Sequence, residues 1–122
     1  MKEIKLREKE QIIQVVNRND DNISFGVSGG SRTEDKIFLL SKDEVENYLE
    51  KNEDRQCVGT AYAGKNRIYV DEENGNSWWW LRSPGESADR AVIILPDGEI
   101  FLSGDEIDND NGMVRPALWI FI

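Results

Sequence analysis

A chain of 122 residues and 14.0 kDa has the length of one domain, because domains cluster at roughly 100–150 residues. The mean hydropathy is -0.59, and no stretch of the sequence approaches the roughly 20 consecutive apolar residues that a membrane-spanning helix requires. The single cysteine, Cys57, excludes an intrachain disulfide, and the absence of histidine excludes His-dependent nucleophiles and His-ligated zinc. We predict a single domain over residues 1–122.

The net charge of -9 is concentrated in the second half of the chain. Residues 1–70 carry 12 basic and 13 acidic side chains, whereas residues 71–122 carry 3 basic and 11 acidic ones. We therefore expect neither nucleic acid nor an anionic membrane as a partner, since both are bound largely through Lys and Arg. Solubility and a solvated acidic face account for this charge directly, and a cation site or a basic partner is the sharper interpretation. The first ten residues, MKEIKLREKE, lack the apolar stretch of a secretion signal, so the sequence as written predicts a cytoplasmic chain.

In the first half, β-branched and apolar runs predict strands on either side of a polar loop. Ile12–Val16 is β-branched, and the preceding residues could close a helix or extend this strand. Residues 17–36 predict a long surface loop with a short extended piece near Ile23–Val27. Lys36–Leu40 predicts a second strand. Ser41 and Glu44 then form a capping box, which predicts a helix over Lys42–Lys51 with Val45, Tyr48 and Leu49 on one face.

The second half predicts short strands separated by turns. Asn74-Gly75 favours a hairpin between Arg67–Val70 and Ser77–Arg82. Pro96-Asp97-Gly98 favours another hairpin between Ala91–Leu95 and Glu99–Ser103. Met113–Ile122 predicts a closing strand, and a short helical piece is expected after Thr60. Together these elements predict an α+β domain.

Several motifs together resemble a bacterial family, domain of unknown function 6273. They are DKIFLLS at 35–41, AYA at 61–63, WWWLRSPG at 78–85, DG at 97–98 and VRPALWI at 114–120. The order of motifs is also similar, more distantly, to C-type-lectin-like and formylglycine-generating-enzyme-like domains. This resemblance implies a C-type-lectin-like fold, in which short antiparallel strands of the C-terminal half pack with one or two helices of the N-terminal half.

The chain departs from these relatives in two respects. Family members usually carry an upstream segment with a Trp-Arg-Val-Leu strand and a Trp-Leu-Asn helix, so the chain is either a natural short form or a fragment. If the missing strand normally pairs with the closing strand, Met113–Ile122 has an apolar edge that predicts a homodimer. Formylglycine-generating enzymes hold copper with two cysteines, which Cys57 alone cannot do.

The tryptophan run and two arginines combine structural and binding potential. In a strand, Trp78 and Trp80 point to one face and Trp79 to the other, so at least one face belongs to the core. An exposed tryptophan would be the best contact for a ligand. Arg82 and Arg115 lie among apolar neighbours, where a guanidinium needs carboxylate or carbonyl partners, and we expect a structural clasp at these positions.

Residues 104–112, GDEIDNDNG, form an oxygen-rich loop of the kind that hard cations prefer. The spacing is not that of an EF-hand, because counting from Asp108 places Trp119 at the twelfth position, where a glutamate belongs. The Glu-Pro-Asn and Trp-Asn-Asp triplets of calcium-binding lectins are also absent from the sequence. We therefore predict no metal and no cofactor. Glu86 with Asp89, or Asp105 with Asp108, could still serve as the acid and base of a glycosidase.

The interpretation that these observations favour is a noncatalytic recognition module, not an enzyme, for a protein or glycan ligand. The loops Glu86–Arg90 and Ser103–Gly112 would form its contact surface. The predicted contact residues are Trp79, Glu86, Asp89, Arg90, Asp105, Glu106, Asp108 and Asp110. Two alternatives stay open: a hydrolase that uses carboxylates alone, and a fragment that functions only within a larger protein.

Overall fold

The computed structural model describes residues 11–58 and 68–120. These residues form eleven short strands, one α-helix and one 3-10 helix. The elements in chain order are β1 (Ile12–Ile13), β2 (Val15–Asn17), β3 (Thr33–Asp35), β4 (Phe38–Leu39), α1 (Lys42–Tyr48), the 3-10 helix (Asn52–Arg55), β5 (Cys57–Val58), β6 (Asn76–Ser77), β7 (Trp79–Pro84), β8 (Arg90–Ile94), β9 (Ile100–Glu106), β10 (Pro116–Ala117) and β11 (Trp119–Ile120).

The largest sheet in the described residues has three antiparallel strands in the order β7-β8-β9. Four two-stranded antiparallel pairs surround it: β1 with β11, β4 with β10, β2 with β3, and β5 with β6. Two of these pairs join the beginning of the chain to its end. The N-terminal half therefore supplies strands to the same small sheets as the C-terminal half.

The hairpin that joins β8 to β9 has the turn that its sequence predicts. The amide of Leu95 donates to the carbonyl of Glu99 at 2.9 Å, and Gly98 adopts a φ of 92°. A side chain at position 98 would also meet the carbonyl oxygen of Asn52 at 2.0 Å, so the turn requires glycine for space as well as for backbone conformation.

The core lies between α1 and one face of the central sheet. Its fully buried members are Val45, Trp79, Leu81, Val92 and Ile94. The indole Nε1 of Trp79 donates to the carbonyl oxygen of Arg55 at 2.8 Å, which satisfies the one polar atom of this buried ring. The guanidinium of Arg115 lies 4.5 Å from the centre of the Trp79 ring, as a cation–π contact.

Helix α1 begins where the capping box predicts and ends earlier than predicted. Glu44 N donates to Ser41 Oγ at 3.2 Å, and Ser41 N donates to Glu44 Oε1 at 2.8 Å. The helix ends at Tyr48, since Leu49 adopts the non-helical angles φ -123° and ψ 74°. Arg55 binds the carbonyls that follow: its Nε donates to Leu49 O at 2.6 Å and its Nη2 to Glu50 O at 3.1 Å. Among the described residues, no helix combines the length and apolar character needed to cross a membrane.

Arg82 is the structural clasp that the sequence predicts. Its guanidinium donates to the carboxylate of Glu44, to the carbonyl of Leu39 at 2.8 Å, to the carbonyl of Arg18 at 2.9 Å and to the side chain of Asn19 at 3.2 Å. One side chain on β7 thus holds α1, β4 and the N-terminal loop together.

The predicted α+β, C-type-lectin-like fold is wrong. The described structure consists mostly of small antiparallel sheets, with one α-helix of seven residues and one 3-10 helix of four, and this architecture is not that of a C-type lectin. Residues 17–36, predicted as a loop, contain β3. The strand predicted over Lys36–Leu40 is shorter than expected and comprises only β4. The closing segment divides into β10 and β11, which pair with β4 and β1 of the same chain. A homodimer through this segment stays a prediction.

The hairpin predicted around Asn74-Gly75 is also wrong, although its turn forms. Gly75 N donates to Asp71 O at 2.8 Å and Gly75 adopts a φ of 73°. Ser77, however, pairs with Cys57, and β7 pairs with β8. Residues 68–70 form no strand, while residue 67 and the helical piece predicted after Thr60 lie outside the described residues.

Candidate functional site

The loop Glu86–Arg90 and the first part of the loop Ser103–Gly112 lie side by side at one end of the central sheet, where β7 ends, β8 begins and β9 ends. The second loop then runs back toward the start of β7, where Met113 N donates to Trp78 O at 3.0 Å. We call the carboxylate-bearing residues of these loops the acidic tip: Glu86, Asp89, Asp105, Glu106, Asp108 and Asp110. All six are exposed except Asp105, which is half-buried. The tip presents six carboxylates on a span in which Arg90 is the only cation.

Backbone hydrogen bonds hold the two loops together. Ile107 N donates to Asp89 O at 3.0 Å, and Glu86 N donates to Ser103 O at 2.9 Å. Within the ladder, Arg90 pairs with Glu106. Because these contacts join main chain to main chain, the tip is part of the sheet's own framework.

Gly104 permits the close approach of β9 to β8 beneath the tip. Its φ is 73°, and a Cβ at this position would lie 2.1 Å from the carbonyl oxygen of Ala91. The register of β8 against β9 shifts between Ala91 and Ile93, so the bulge re-aims the end of β9. A side chain at position 104 would force the two strands apart.

Arg90 stabilises the tip from within. Its Nη2 donates to Gly104 O at 2.7 Å, its Nε donates to Ser103 O at 3.4 Å, and the same Nε lies 3.5 Å from Glu86 Oε1. The side chain is half-buried. Its guanidinium is engaged by the second loop and by Glu86. We therefore assign Arg90 a structural role, in which it joins the two loops. The sequence had predicted that Arg90 contacts the ligand directly.

Two aspartates of the tip are ordered by short-range hydrogen bonds. Asp105 accepts from Glu106 N at 2.7 Å and from Asn109 Nδ2 at 3.1 Å. The hydroxyl of Ser87 donates to Asp89 and holds the pKa of that carboxyl below its ordinary value. A lowered pKa is opposite in direction to the raised pKa that a glycosidase acid requires.

Trp79 does not belong to an exposed contact surface. Its side chain has 0% exposure, and it lies between α1 and the central sheet. The aromatic ring that the sequence offered for stacking on a ligand is therefore part of the core. Within residues 11–58 and 68–120, no three His, Cys, Asp or Glu side chains converge as a metal site.

A cleft of about 310 Å³ next to the tip was not predicted from the sequence. It opens between the loop Asp20–Ser24, the start of α1 and the end of the central sheet. Because seven helical residues extend only about 10 Å, α1 covers part of the sheet face and the N-terminal loop covers more of it. The cleft is lined by Asp20, Asp21, Asn22, Ile23, Ser24, Ser41, Lys42, Asp43, Ser83, Pro84, Val92 and Leu102.

Asn22 fixes the loop wall of this cleft. Its Nδ2 lies 2.9 Å from Pro84 O, 3.2 Å from Gly85 O and 3.0 Å from Leu102 O, and the residue is buried. The partners are 62 to 80 residues away in the chain. Sequence patterns of turns and periodicity carry no information on contacts at this separation, which is why the cleft was missed.

Comparison with known proteins places the chain in a family without assigning an activity. The family model described as a domain of unknown function, DUF6273, matches residues 1–122. No curated protein and no solved structure matches the chain.

Proposed function

The chain belongs to the DUF6273 family, and from this premise we propose that it is a noncatalytic recognition module whose acidic tip binds a basic surface of a partner protein. The observation that carries the proposal is the bond between Ile107 N and Asp89 O, which joins the two acidic loops into one surface. Neither loop alone concentrates the charge of all six carboxylates.

The charge of the tip supports a basic partner. The tip carries six carboxylates and the single guanidinium of Arg90, which is engaged by carbonyls of the second loop and lies 3.5 Å from Glu86. Like charges concentrated on two adjoining loops produce a negative potential that attracts a cationic surface and accelerates its encounter. The framework supports the same conclusion, because loops anchored on a hairpin lose little conformational freedom when they bind.

A protein fits the tip better than a glycan does. A glycan ligand would be expected to stack on an exposed aromatic ring, and Trp79, the one aromatic residue among the predicted contacts, is buried. What the tip offers instead is a set of exposed carboxylates, of which Glu106, Asp108 and Asp110 follow each other at intervals of two residues. Such a surface matches lysine and arginine side chains on a partner.

The test uses a fluorescein-labelled peptide of alternating lysine and glycine, with binding followed by fluorescence anisotropy at about 0.1 M salt, where exposed charges more than about 10 Å apart are screened. The tip variant carries Glu106→Gln, Asp108→Asn and Asp110→Asn. The control variant carries Glu72→Gln, Glu73→Gln and Glu99→Gln, three exposed carboxylates outside the tip, so both variants have the same net charge.

We expect the tip variant to bind about tenfold more weakly than the wild type, because three lost charge pairs each contribute a few tenths of a kcal/mol or more. The dissociation constant of the control variant should stay within about threefold of the wild-type value, because its three substitutions remove no charge pair with the peptide. Equal losses in the two variants would show that the peptide responds to total charge, and the proposal would then be wrong. Thermal melting of each variant checks that the fold is retained.

A further inference from the structure

The cleft beside the acidic tip combines an apolar floor with a charged rim. The floor contains Val92, which is 1% exposed, together with Leu102 and Pro84. At the rim, Ile23 is 92% exposed, an unusual position for an isoleucine. A concave pocket with apolar walls and a few convergent polar groups is the typical form of a binding site.

The rim is negatively charged. Asp20, Asp21 and Asp43 line it, and among the described residues of the lining Lys42 is the only cation. The ammonium of Lys42 lies 3.1 Å from the carboxylate of Glu46, outside the lining, and 3.8 Å from that of Asp43. Lys42 is therefore paired with carboxylates of its own helix, and its ammonium makes no ion pair with Asp20 or Asp21, which line the other side of the cleft.

The walls of the cleft are fixed before any ligand enters. Asn22 ties the loop to the carbonyls of the central sheet, as described above. On the other side, Lys42 N donates to Ser83 Oγ at 2.9 Å, which joins the first residue of α1 to β7. Asp21 is held as well, because its Oδ1 accepts from Gly29 N at 2.9 Å. A preformed pocket binds with a smaller entropic cost than one that must be ordered.

We infer that this cleft receives a lysine side chain of the partner, with the aliphatic stem on Pro84 and Leu102 and the ammonium among the rim carboxylates. The identity of the partner as a basic protein rests on the proposed function. Pro84 lines the cleft and Glu86 of the acidic tip follows two residues later, so one partner surface can reach both.

Lysine fits this arrangement better than arginine does. An ammonium is a compact charge with three donors on a flexible stem, whereas a guanidinium requires a planar, two-pronged acceptor. The carboxylates of the rim come from two separate elements, the N-terminal loop and α1, and surround the opening from both sides. The stem of a lysine also covers apolar surface, as the floor requires.

The test is a titration of the 15N-labelled chain with N-acetyl-lysine methylamide, followed by two-dimensional NMR. We expect saturable shifts at the amides of Ser24, Lys42, Ser83 and Leu102. The uncharged norleucine analogue should give shifts at least about fivefold smaller, since it lacks the charge that pairs with the rim. Three results would each overturn the assignment to a protein lysine. The norleucine analogue could bind as tightly as the lysine probe, the arginine analogue could bind more tightly than it, or free cadaverine could bind more tightly than it.

Two variants complete the test. Asp21→Asn keeps an oxygen to accept from Gly29 N and should weaken binding about fivefold. Glu72→Gln also removes one negative charge, at a residue that does not line the cleft, and should leave binding unchanged. If this variant lost as much affinity as Asp21→Asn, the inference would be overturned. The probe is a single amino acid, so its binding to the cleft is measured separately from peptide binding by the tip. If the cleft binds the probe and the tip does not bind the basic peptide, only the proposed function is contradicted. The reverse result would contradict this inference alone.

Discussion

The guanidinium of Arg82 on β7 bonds the carboxylate of Glu44 on α1, and the same carboxylate oxygen accepts from the backbone amide of Ser41 at 2.8 Å. One oxygen thus links the cap of the helix to the central sheet. Both side chains are largely buried, with 14% exposure for Arg82 and 24% for Glu44. Removing one partner therefore costs more than it would in an exposed ion pair, because the other charge is left partly buried without its partner.

Arg82→Ala should lower the free energy of unfolding by about 2–3 kcal/mol, because it leaves a partly buried carboxylate and two carbonyls without their donor. Urea denaturation measures the change. Arg82→Lys keeps the charge but loses the planar fork, and an intermediate loss is expected. A cost for Arg82→Ala below about 0.5 kcal/mol, the range of an ordinary surface substitution, would contradict the clasp.

Gly104 and Gly26 provide a matched pair of substitutions. Both have positive φ, 73° and 65°, but a Cβ at Gly104 meets Ala91 O at 2.1 Å whereas a Cβ at Gly26 meets nothing within 4 Å. Gly26→Ala should cost about 1 kcal/mol, the penalty of the left-handed backbone alone. Gly104→Ala should cost clearly more and should also weaken peptide binding by the tip. Equal melting temperatures for the two variants would argue against the close approach of β8 and β9.

Ser87→Ala tests the hydrogen bond that orders Asp89. The pKa of Asp89 should rise toward its ordinary value of 3.8 in the variant, as followed by carbon-13 NMR of the carboxyl group. Because the folded-state pKa is lowered, the stabilisation is complete above the unfolded-state pKa and is lost as the pH falls through the folded-state value. The stability difference between wild type and variant should therefore shrink as the pH falls below about 4, the ordinary range of an aspartate. A difference that stays constant with pH would locate the effect elsewhere.

Cys57 should react slowly with iodoacetamide. Burial raises the pKa of its thiol, although the charge of Arg115 acts in the opposite direction, and the thiolate is the reactive form. The Sγ atom also lies 3.9 Å from Met113 Sδ, inside the packed region. Alkylation at pH 8 should be much faster in concentrated urea than in the native protein. Equal rates would show that the thiol is freely accessible in the fold.

Local features of the fold were predictable from the sequence and long-range pairings were not. The capping box of Ser41 and the turn at Pro96-Asp97-Gly98 depend on residues within a few positions of each other, and both form. The pairing of Ile12 with Ile120 depends on contacts across the whole chain. Strand propensity indicates that a segment is extended, but it does not specify its neighbour, which is why the predicted architecture was wrong.

The candidate site shows the same division. Acidic residues near the strand ends could be recognised as a possible contact surface, and the structure brings Asp89 and Asp105 to the same end of the sheet. Two assignments could not be made from the sequence. The burial of Trp79 depends on α1 packing over it, and the role of Arg90 depends on carbonyls 13 and 14 residues away.

The most direct test of the central claim is zero-length carbodiimide cross-linking of the wild-type chain to the lysine-glycine peptide, with the linked residues identified by mass spectrometry. A carbodiimide joins only carboxylates and amines that are in contact, so it reports which acidic residues meet the peptide. We expect cross-links at the tip, above all at Glu106, Asp108 and Asp110, and few at Glu72 and Glu73, which are also exposed. Cross-links distributed evenly over both groups, or concentrated at Glu72 and Glu73, would contradict recognition through the acidic tip.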